Sequence, residues 1–132
     1  MKKKKLHILI GVISVLIIVI VLLFFVPTPN IIFSQSATAG QIYNDKNINC
    51  QLSDEDAKKC VDMFAGKWCF IDNPSCEFED DTFVQIGINK FQPACDGCAI
   101  VKNGNKYFTL SETERATLDE ILNKYDITFP CV

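Results

Sequence analysis

Residues 27–132 contain no histidine, since His7 is the only one in the chain. Catalysis by Ser-His-Asp or Cys-His groups needs an imidazole that moves a proton near neutral pH, so both arrangements are excluded from this region. Metal sites with histidine ligands are excluded there for the same reason. The chain also lacks a glycine-rich phosphate-binding loop, which argues against the common nucleotide-binding enzymes.

Positive charge is scarce after residue 26. Residues 27–132 carry nine basic and sixteen acidic side chains, a net charge of −7. A domain that binds nucleic acid usually presents an excess of lysine and arginine, so we exclude nucleic acid as a partner. Aromatic residues are too frequent in this region for an acidic disordered tail, so we expect a folded domain.

One long apolar run is present near the N-terminus. Leu6–Val26 has 18 apolar residues in 21 positions. As a helix it would span about 31 Å, close to the thickness of the hydrocarbon core of a bilayer. Lysines occupy 2–5 and no basic residue follows until Lys46, which by the positive-inside bias keeps the N-terminus in the cytoplasm. The sequence therefore predicts a single-pass cell-membrane protein with a cytoplasmic basic tail at 1–5, a transmembrane signal anchor at 6–26 and an extracytoplasmic remainder.

A cleaved signal peptide is the alternative to a retained anchor. Ala37-Thr38-Ala39 has the small-residue pattern of a cleavage site, and cleavage near Ala39 would release a secreted domain. The apolar run is longer than the core of an ordinary signal peptide, and the pattern lies well beyond its end, so we favour retention. Both interpretations place the cysteines outside the cytoplasm.

Residues 27–49 are predicted to be a linker, because Pro27, Pro29, Ser34, Ser36 and Gly40 occur there and no charge occurs before Asp45. From 50 to 132 we expect a small, disulfide-rich α+β domain. It would pack two helices on a small antiparallel sheet and end in a hairpin–helix unit. Ser53 and Ser111 are predicted helix N-caps, the second in a capping box with Glu114.

Alternation of apolar residues and turn signals predict the strands. The first is a short strand at Trp68–Ile71 with Trp68 in the core, followed by a longer strand at 82–91 that places Val84, Ile86 and Ile88 on one face. A hairpin is predicted at Asn103-Gly104. A terminal strand at 127–132 would carry Cys131.

Seven cysteines are the most informative residues, and all of them follow residue 49: Cys50, Cys60, Cys69, Cys76, Cys95, Cys98 and Cys131. In a small exported domain this density indicates structural disulfides, which compensate for a modest core. Because seven is odd, at least one cysteine is a free thiol or is joined to another chain. The sequence does not determine the pairing.

Cys95 and Cys98 form the only CxxC pair, and three interpretations compete for it. A thiol–disulfide oxidoreductase or redox sensor needs a thiolate with a lowered pKa, whereas Asp96 inside the motif would raise it. A zinc site would need Cys69 and Cys76 as a second ligand pair, and their six intervening residues exceed the usual spacing. We therefore expect a structural role, with at least one of Cys95 and Cys98 bound to a distant cysteine.

The acidic runs at 54–56 and 77–81 do not fit the ligand spacing of a calcium loop, so we predict no metal and no cofactor. The predicted function is a membrane-anchored, disulfide-stabilised binding or assembly module. Its partner would be another surface or envelope protein, with an intermolecular disulfide as one option. The alternative function is an oxidoreductase or redox sensor that uses Cys95 and Cys98.

Overall fold

The computed structural model describes residues 2–25, 28–43 and 45–129. These residues form three helices and six strands: α1 (Lys2–Phe25), β1 (Ala37–Tyr43), β2 (Lys46–Gln51), α2 (Asp54–Phe64), β3 (Thr82–Ile86), β4 (Asn89–Pro93), β5 (Ile100–Asn103), β6 (Lys106–Thr109) and α3 (Glu112–Lys124). The strands form one antiparallel sheet in the order β2-β1-β3-β4-β5-β6. The predicted combination of an apolar N-terminal helix and two helices on a small antiparallel sheet is confirmed at this level.

Helix α1 covers most of the predicted anchor and the lysines before it. Its segment Lys4–Leu23 has a mean hydropathy of 3.2, and none of it is buried against the rest of the chain. Of the described helices it is the one long and apolar enough to cross a membrane. A signal sequence near an N-terminus shares these properties.

Side chains from α2, α3 and the sheet meet in one apolar core. Phe64 of α2 lies against Phe91 of β4 and Phe108 of β6, with ring centroids 4.8 and 5.6 Å apart. Phe91 and Phe108 meet edge to face at 5.9 Å. Tilted and edge-to-face rings at these distances add to the free energy of apolar burial. Leu118 and Ile121 of α3 complete the same core, which holds both helices on the sheet.

Both predicted helix caps are confirmed. The Ser53 hydroxyl accepts a hydrogen bond from the backbone N–H of Asp56 at the start of α2. At the start of α3, the Ser111 hydroxyl accepts from the Glu114 N–H at 3.2 Å, while the Glu114 carboxylate accepts from the Ser111 N–H at 2.7 Å. These bonds satisfy backbone donors that the first turn of a helix leaves without intrahelical partners.

Asp56 joins the beginning of α2 to the end of α3. Its carboxylate accepts hydrogen bonds from the Lys124 ammonium at 3.1 Å and from the Tyr125 and Ser53 hydroxyls, both at 3.0 Å. Burial raises the pKa of Asp56, but the hydrogen bonds from Lys124, Ser53 and Tyr125 outweigh it and hold this pKa below its ordinary value. The ionised carboxylate therefore bridges the two helices at neutral pH.

The predicted Asn103-Gly104 hairpin is confirmed, with its turn displaced by one residue. Asn103 pairs with Lys106 across β5 and β6, so Gly104 and Asn105 are the two residues of the turn. Gly104 has a φ of +62°, which glycine adopts without steric cost. Glycine at the first of the two turn positions is the pattern of a two-residue β-hairpin.

The single long strand predicted at 82–91 is wrong, because the chain turns within it. Ile86 pairs with Asn89, and Gly87, with a φ of +60°, forms the turn with Ile88 between β3 and β4. Val84 and Ile86 are buried on one face as expected, whereas Ile88 at the turn is 96% exposed. The apolar residues at 84, 86 and 88 imitated one continuous strand, but the two-residue turn shifts the alternation, so that Val84 and Ile86 share a face with Asn89 and Phe91.

The linker predicted at 27–49 is wrong for most of its length, because the sheet begins inside it. Strand β1 lies between β2 and β3, and its small residues Ala37, Ala39 and Gly40 are buried. The Phe83 ring covers Gly40 so closely that a Cβ there would come within 2.6 Å of it. Small residues suit this close packing although they have low β-propensity, which is why the composition resembled a linker.

The two edges of the sheet differ. Phe70 exchanges backbone hydrogen bonds of 2.8 Å with Tyr107 and so covers the edge of β6. Pro29 in turn forms an isolated β-bridge with Trp68, so the segment at Pro29 lies beyond the segment at Trp68 on that edge. The predicted strand at Trp68–Ile71 is therefore reduced to isolated bridges. Strand β2 has β1 as its neighbour on one side, and no described strand pairs with its other side.

The segment after α3 packs by side chains, and residues 127–129 are not a strand. Ile127 is fully buried, and the Phe129 ring lies beneath the Arg115 guanidinium at 4.8 Å. The side-chain oxygen of the buried Gln41 in β1 accepts a hydrogen bond from the Thr128 N–H at 3.2 Å. This N–H is thus satisfied by a side chain and not by a neighbouring strand. The remainder of the predicted terminal strand, including Cys131, lies outside the described residues.

Candidate functional site: the cysteine loop and the free thiols

Cys98 of the CxxC motif is bound to Cys76, not to Cys95. The Cys76–Cys98 disulfide joins residues 22 positions apart in sequence, with Cα atoms 6.2 Å apart. Cys95 is 1% exposed, is itself disulfide-bonded, and donates its backbone N–H to the Glu77 carbonyl at 2.8 Å. The expectation that a cysteine of this motif pairs over a long distance is confirmed for Cys98. We call residues 76–78 with 94–98 the cysteine loop.

Asp96 organises the turn between the two cysteines of the motif. Its carboxylate accepts from the backbone N–H of Glu77 at 3.0 Å and from that of Cys98 at 3.2 Å. Gly97 has a φ of +81°, which glycine adopts without strain. The Glu77 N–H, together with the Cys98 N–H and the positive charge of Arg115, holds the pKa of Asp96 below its ordinary value. The carboxylate is thus occupied in shaping the loop.

Arg115 fastens the cysteine loop to α3. This residue, the only arginine of the chain, is buried and donates from Nη1 to the Cys98 carbonyl at 2.6 Å. Its Nε donates to Asp119 at 2.9 Å, one helical turn further along α3. Arg115 was not predicted from the sequence, although a lone arginine in a lysine-rich chain is the signal that marks it. Its planar group binds two acceptors at once, which a lysine does less well.

The three free thiols of the described residues, Cys50, Cys60 and Cys69, lie apart from the cysteine loop. Burial, together with the nearby Asp56 carboxylate, raises the pKa of Cys60 to about 12. Burial also raises the pKa of Cys50 and of Cys69 above the ordinary thiol value. A redox-active or nucleophilic cysteine needs the opposite shift, because the thiolate is the reacting form.

Cys69 is held in a small polar cluster at the covered edge of the sheet. Its thiol lies 3.0 Å from the Asn30 side-chain oxygen, which also accepts from the Asn103 amide at 3.3 Å. Asn30 in turn donates to the Phe64 carbonyl at 3.2 Å. Because neighbouring residues of an extended chain point to opposite sides, inward Cys69 leaves Trp68 outward, and Trp68 is 68% exposed. The expectation of a core tryptophan is wrong.

The second acidic run is held by neighbouring strands. The Asp80 carboxylate accepts from the Gln92 amide at 3.2 Å and from the Lys102 ammonium at 3.4 Å. These contacts hold the pKa of Asp80 below its ordinary value, the Gln92 hydrogen bond being the largest cause. Lys90 donates to the Asp80 carbonyl at 2.7 Å. Asp80 thus fastens the second acidic run to strands β4 and β5.

The described residues do not bring together the four cysteines of the zinc interpretation. Cys69 contacts Asn30, whereas Cys76 and Cys98 share a disulfide. Cys76, Asp96 and Cys98 do form a close group of potential ligand atoms. Both sulfur atoms of this group are in the disulfide and so lack the thiolate form that binds metal.

Comparison with protein-family models, with curated proteins and with solved structures finds no match for this chain.

Proposed function

We propose that this protein is a single-pass, membrane-anchored binding or assembly module whose disulfide-stabilised domain lies outside the cytoplasm and contacts another envelope protein. The observation that carries the binding part is the open edge of β2 in a sheet whose other edge is covered. Helix α1 and the Cys76–Cys98 disulfide support the anchored and extracytoplasmic parts.

The orientation of the anchor rests on charge. Lysines at 2–5 precede the apolar segment, and no basic residue follows it before Lys46. The positive-inside bias keeps such an N-terminus in the cytoplasm and places the domain outside. Disulfides persist in that compartment, so the Cys76–Cys98 bond agrees with this orientation.

Retention of the anchor is supported by the position of the alternative cleavage site. Ala37-Thr38-Ala39 lies in β1, between β2 and β3, and Ala39 is fully buried. Cleavage near Ala39 would remove part of a central strand together with Asn30 and Ile32, which contact the core region. A product that lost these contacts would be less stable, so the fold favours an intact chain.

The hydrogen-bond pattern of β2 shows which backbone groups remain open. The Leu52 N–H bonds to the Ala37 carbonyl at 3.0 Å, which fixes the alternation of bonded and non-bonded pairs along β1 and β2. By this alternation Asn47, Asn49 and Gln51 direct their N–H and C=O groups away from β1. An edge of this kind is a template for an extended segment of another chain, which would add a seventh strand.

Photo-crosslinking in cells of the native host tests this proposal. A photoreactive residue at Asn47 should give a discrete adduct with another envelope protein, whereas one at the exposed Asp62 of α2 should not. Asn49→Pro removes an outward N–H without breaking a bond to β1, so the fold should persist and the Asn47 adduct should disappear. Absence of an adduct at Asn47, or an adduct unaffected by Asn49→Pro, would contradict strand addition at β2.

Cys50 is the candidate for the intermolecular disulfide. It lies on β2, and of the three described free thiols it is the one that is not fully buried. Its thiol donates to the Ala39 carbonyl at 3.5 Å and its pKa is raised, so an exchange reaction would be slow. Non-reducing electrophoresis of the wild type and of Cys50→Ser would show whether a covalent dimer or adduct depends on this residue.

A further inference from the structure

An uncharged apolar surface lies immediately after α1. Pro29, Ile31 and Phe33 alternate outward along an extended segment, while Asn30 and Ile32 point to the interior. Ile31 is 63% exposed and Phe33 is 92% exposed. The outward residues together with two neighbours form what we call the apolar row: Pro29, Ile31, Phe33, Trp68 and Ile88.

The two neighbours come from distant parts of the chain. Trp68 forms a β-bridge with Pro29, which puts both side chains on the same side of the bridge. Ile88, at the tip of the β3–β4 hairpin, lines a groove of about 340 Å³ together with Ile31 and Phe33. Three separate segments therefore contribute large apolar side chains to one exposed surface, although a soluble domain ordinarily buries such groups.

We infer that the apolar row rests on the outer interface of the lipid bilayer, next to the point where α1 leaves it. The inference deepens the proposed function, since it requires that α1 is a retained membrane anchor. Ile31 lies six positions after Phe25, the last residue of α1, and an extended chain reaches at most about 20 Å over six positions. The anchor therefore keeps the row close to the headgroups in every copy of the protein.

The chemistry of the row fits the interfacial zone. Tryptophan is enriched where a bilayer meets water, because its ring is apolar and its indole N–H still finds a hydrogen-bond partner. No charged residue occurs between 28 and 43, so insertion of this segment carries no cost of charge desolvation. Docking of the row would fix the orientation of the domain, and the Trp68 end of the row lies on the β6 side of the sheet, the side away from β2.

The fluorescence of Trp68 tests this inference, because Trp68 is the only tryptophan of the chain. The full-length protein is placed in lipid nanodiscs whose lipids carry bromine near the headgroup end of the acyl chain. We expect loss of Trp68 emission in brominated lipid, a blue-shifted spectrum, and protection from iodide in the surrounding water. Phe33→Ser combined with Ile88→Ser should restore emission and iodide quenching. Ile42→Ser, at an exposed apolar residue outside the row, should leave both unchanged.

The outcomes separate this inference from the proposed anchoring. Trp68 that is quenched by iodide but not by brominated lipid, in a full-length chain that stays in the nanodisc, overturns the docking and leaves the anchor intact. Protection from iodide without quenching by brominated lipid means that protein covers the row, as in a pair of chains, and also overturns it. A chain that does not remain with the nanodisc overturns the anchoring itself.

Discussion

Removal of the Cys76–Cys98 disulfide should destabilise the domain by a predictable amount. The bond closes a loop with a sequence separation of 22. The chain-entropy model assigns about 3.4 kcal/mol to a loop of that size at room temperature. For a domain of roughly 100 residues, this corresponds to a fall in melting temperature of about 15–25 °C. Asp96 and Arg115 hold the cysteine loop independently, so we expect a less stable domain with the same fold.

The variant for this test carries Cys76→Ser and Cys98→Ser together, so that neither cysteine of the broken bond is left as a free thiol. Its matched control is Cys50→Ser, which removes a cysteine without removing a disulfide and should shift the melting temperature by no more than about 4 °C. Near-ultraviolet circular dichroism of the full-length chain in nanodiscs follows the packed aromatic core during heating. Melting temperatures of the double variant and the control that agree within a few degrees would refute the stabilising role of the bond.

Three further predictions follow from burial and charge. Because burial raises the pKa of Cys60 to about 12, native Cys60 should resist alkylation at mildly alkaline pH while Cys50 reacts slowly, as mass spectrometry would show against an unfolded control; rapid labelling of Cys60 would disprove its burial. Trp68→Ala should lower the free energy of unfolding by less than about 1 kcal/mol and Phe108→Ala by about 3–5 kcal/mol in urea titrations, and similar losses would contradict their placement. The folded-state pKa of Asp56 is lowered, so its stabilisation is present above the unfolded-state value of about 3.9 and is lost as pH falls through the folded-state value. Asp56→Asn should therefore reduce the loss of unfolding free energy that the wild type shows as the pH becomes acidic. An equal loss in the variant and the wild type would argue against the bridge between the helices.

Elements with local signals were predictable from the sequence. The Ser111 capping box and the Asn103-Gly104 hairpin depend on residues within four positions of one another, so their chemistry is visible without the tertiary structure. Helix α2 was predicted from its Ser53 cap and from the spacing of its apolar residues.

Elements that depend on distant contacts were not predictable in the same way. Strand β1 contains the small residues Ala37, Ala39 and Gly40, and the Phe83 ring of the neighbouring strand packs closely over Gly40. Neighbouring residues of a strand such as Trp68 and Cys69 face opposite sides, but this alternation does not tell which side the core lies on. In the folded protein the Cys69 thiol donates to Asn30, 39 positions away, so Cys69 faces the interior and Trp68 faces the solvent.

The candidate site was predictable in chemistry but not in connectivity. Structural disulfides were predicted from the density of cysteines in a chain expected to be exported, whereas the Cys76–Cys98 pairing depends on how the cysteine loop packs. The bond from Arg115 to the Cys98 carbonyl likewise joins residues 17 positions apart, through the position of α3. The apolar row as a whole was not predictable from the sequence, because its members come from three segments that only the fold brings together.

Labelling of lysines on intact cells is the most direct test of an anchored domain outside the cytoplasm. A membrane-impermeant amine reagent should modify the exposed Lys46, Lys58 and Lys90, because they lie on the domain. The lysines at 2–5 should stay unmodified until the membrane is broken, and the membrane fraction should contain the chain with Leu6–Val26 attached. Labelling of 2–5 with protection of the three domain lysines would reverse the orientation. A labelled domain that has lost Leu6–Val26 would show that the segment is a cleaved signal and not an anchor.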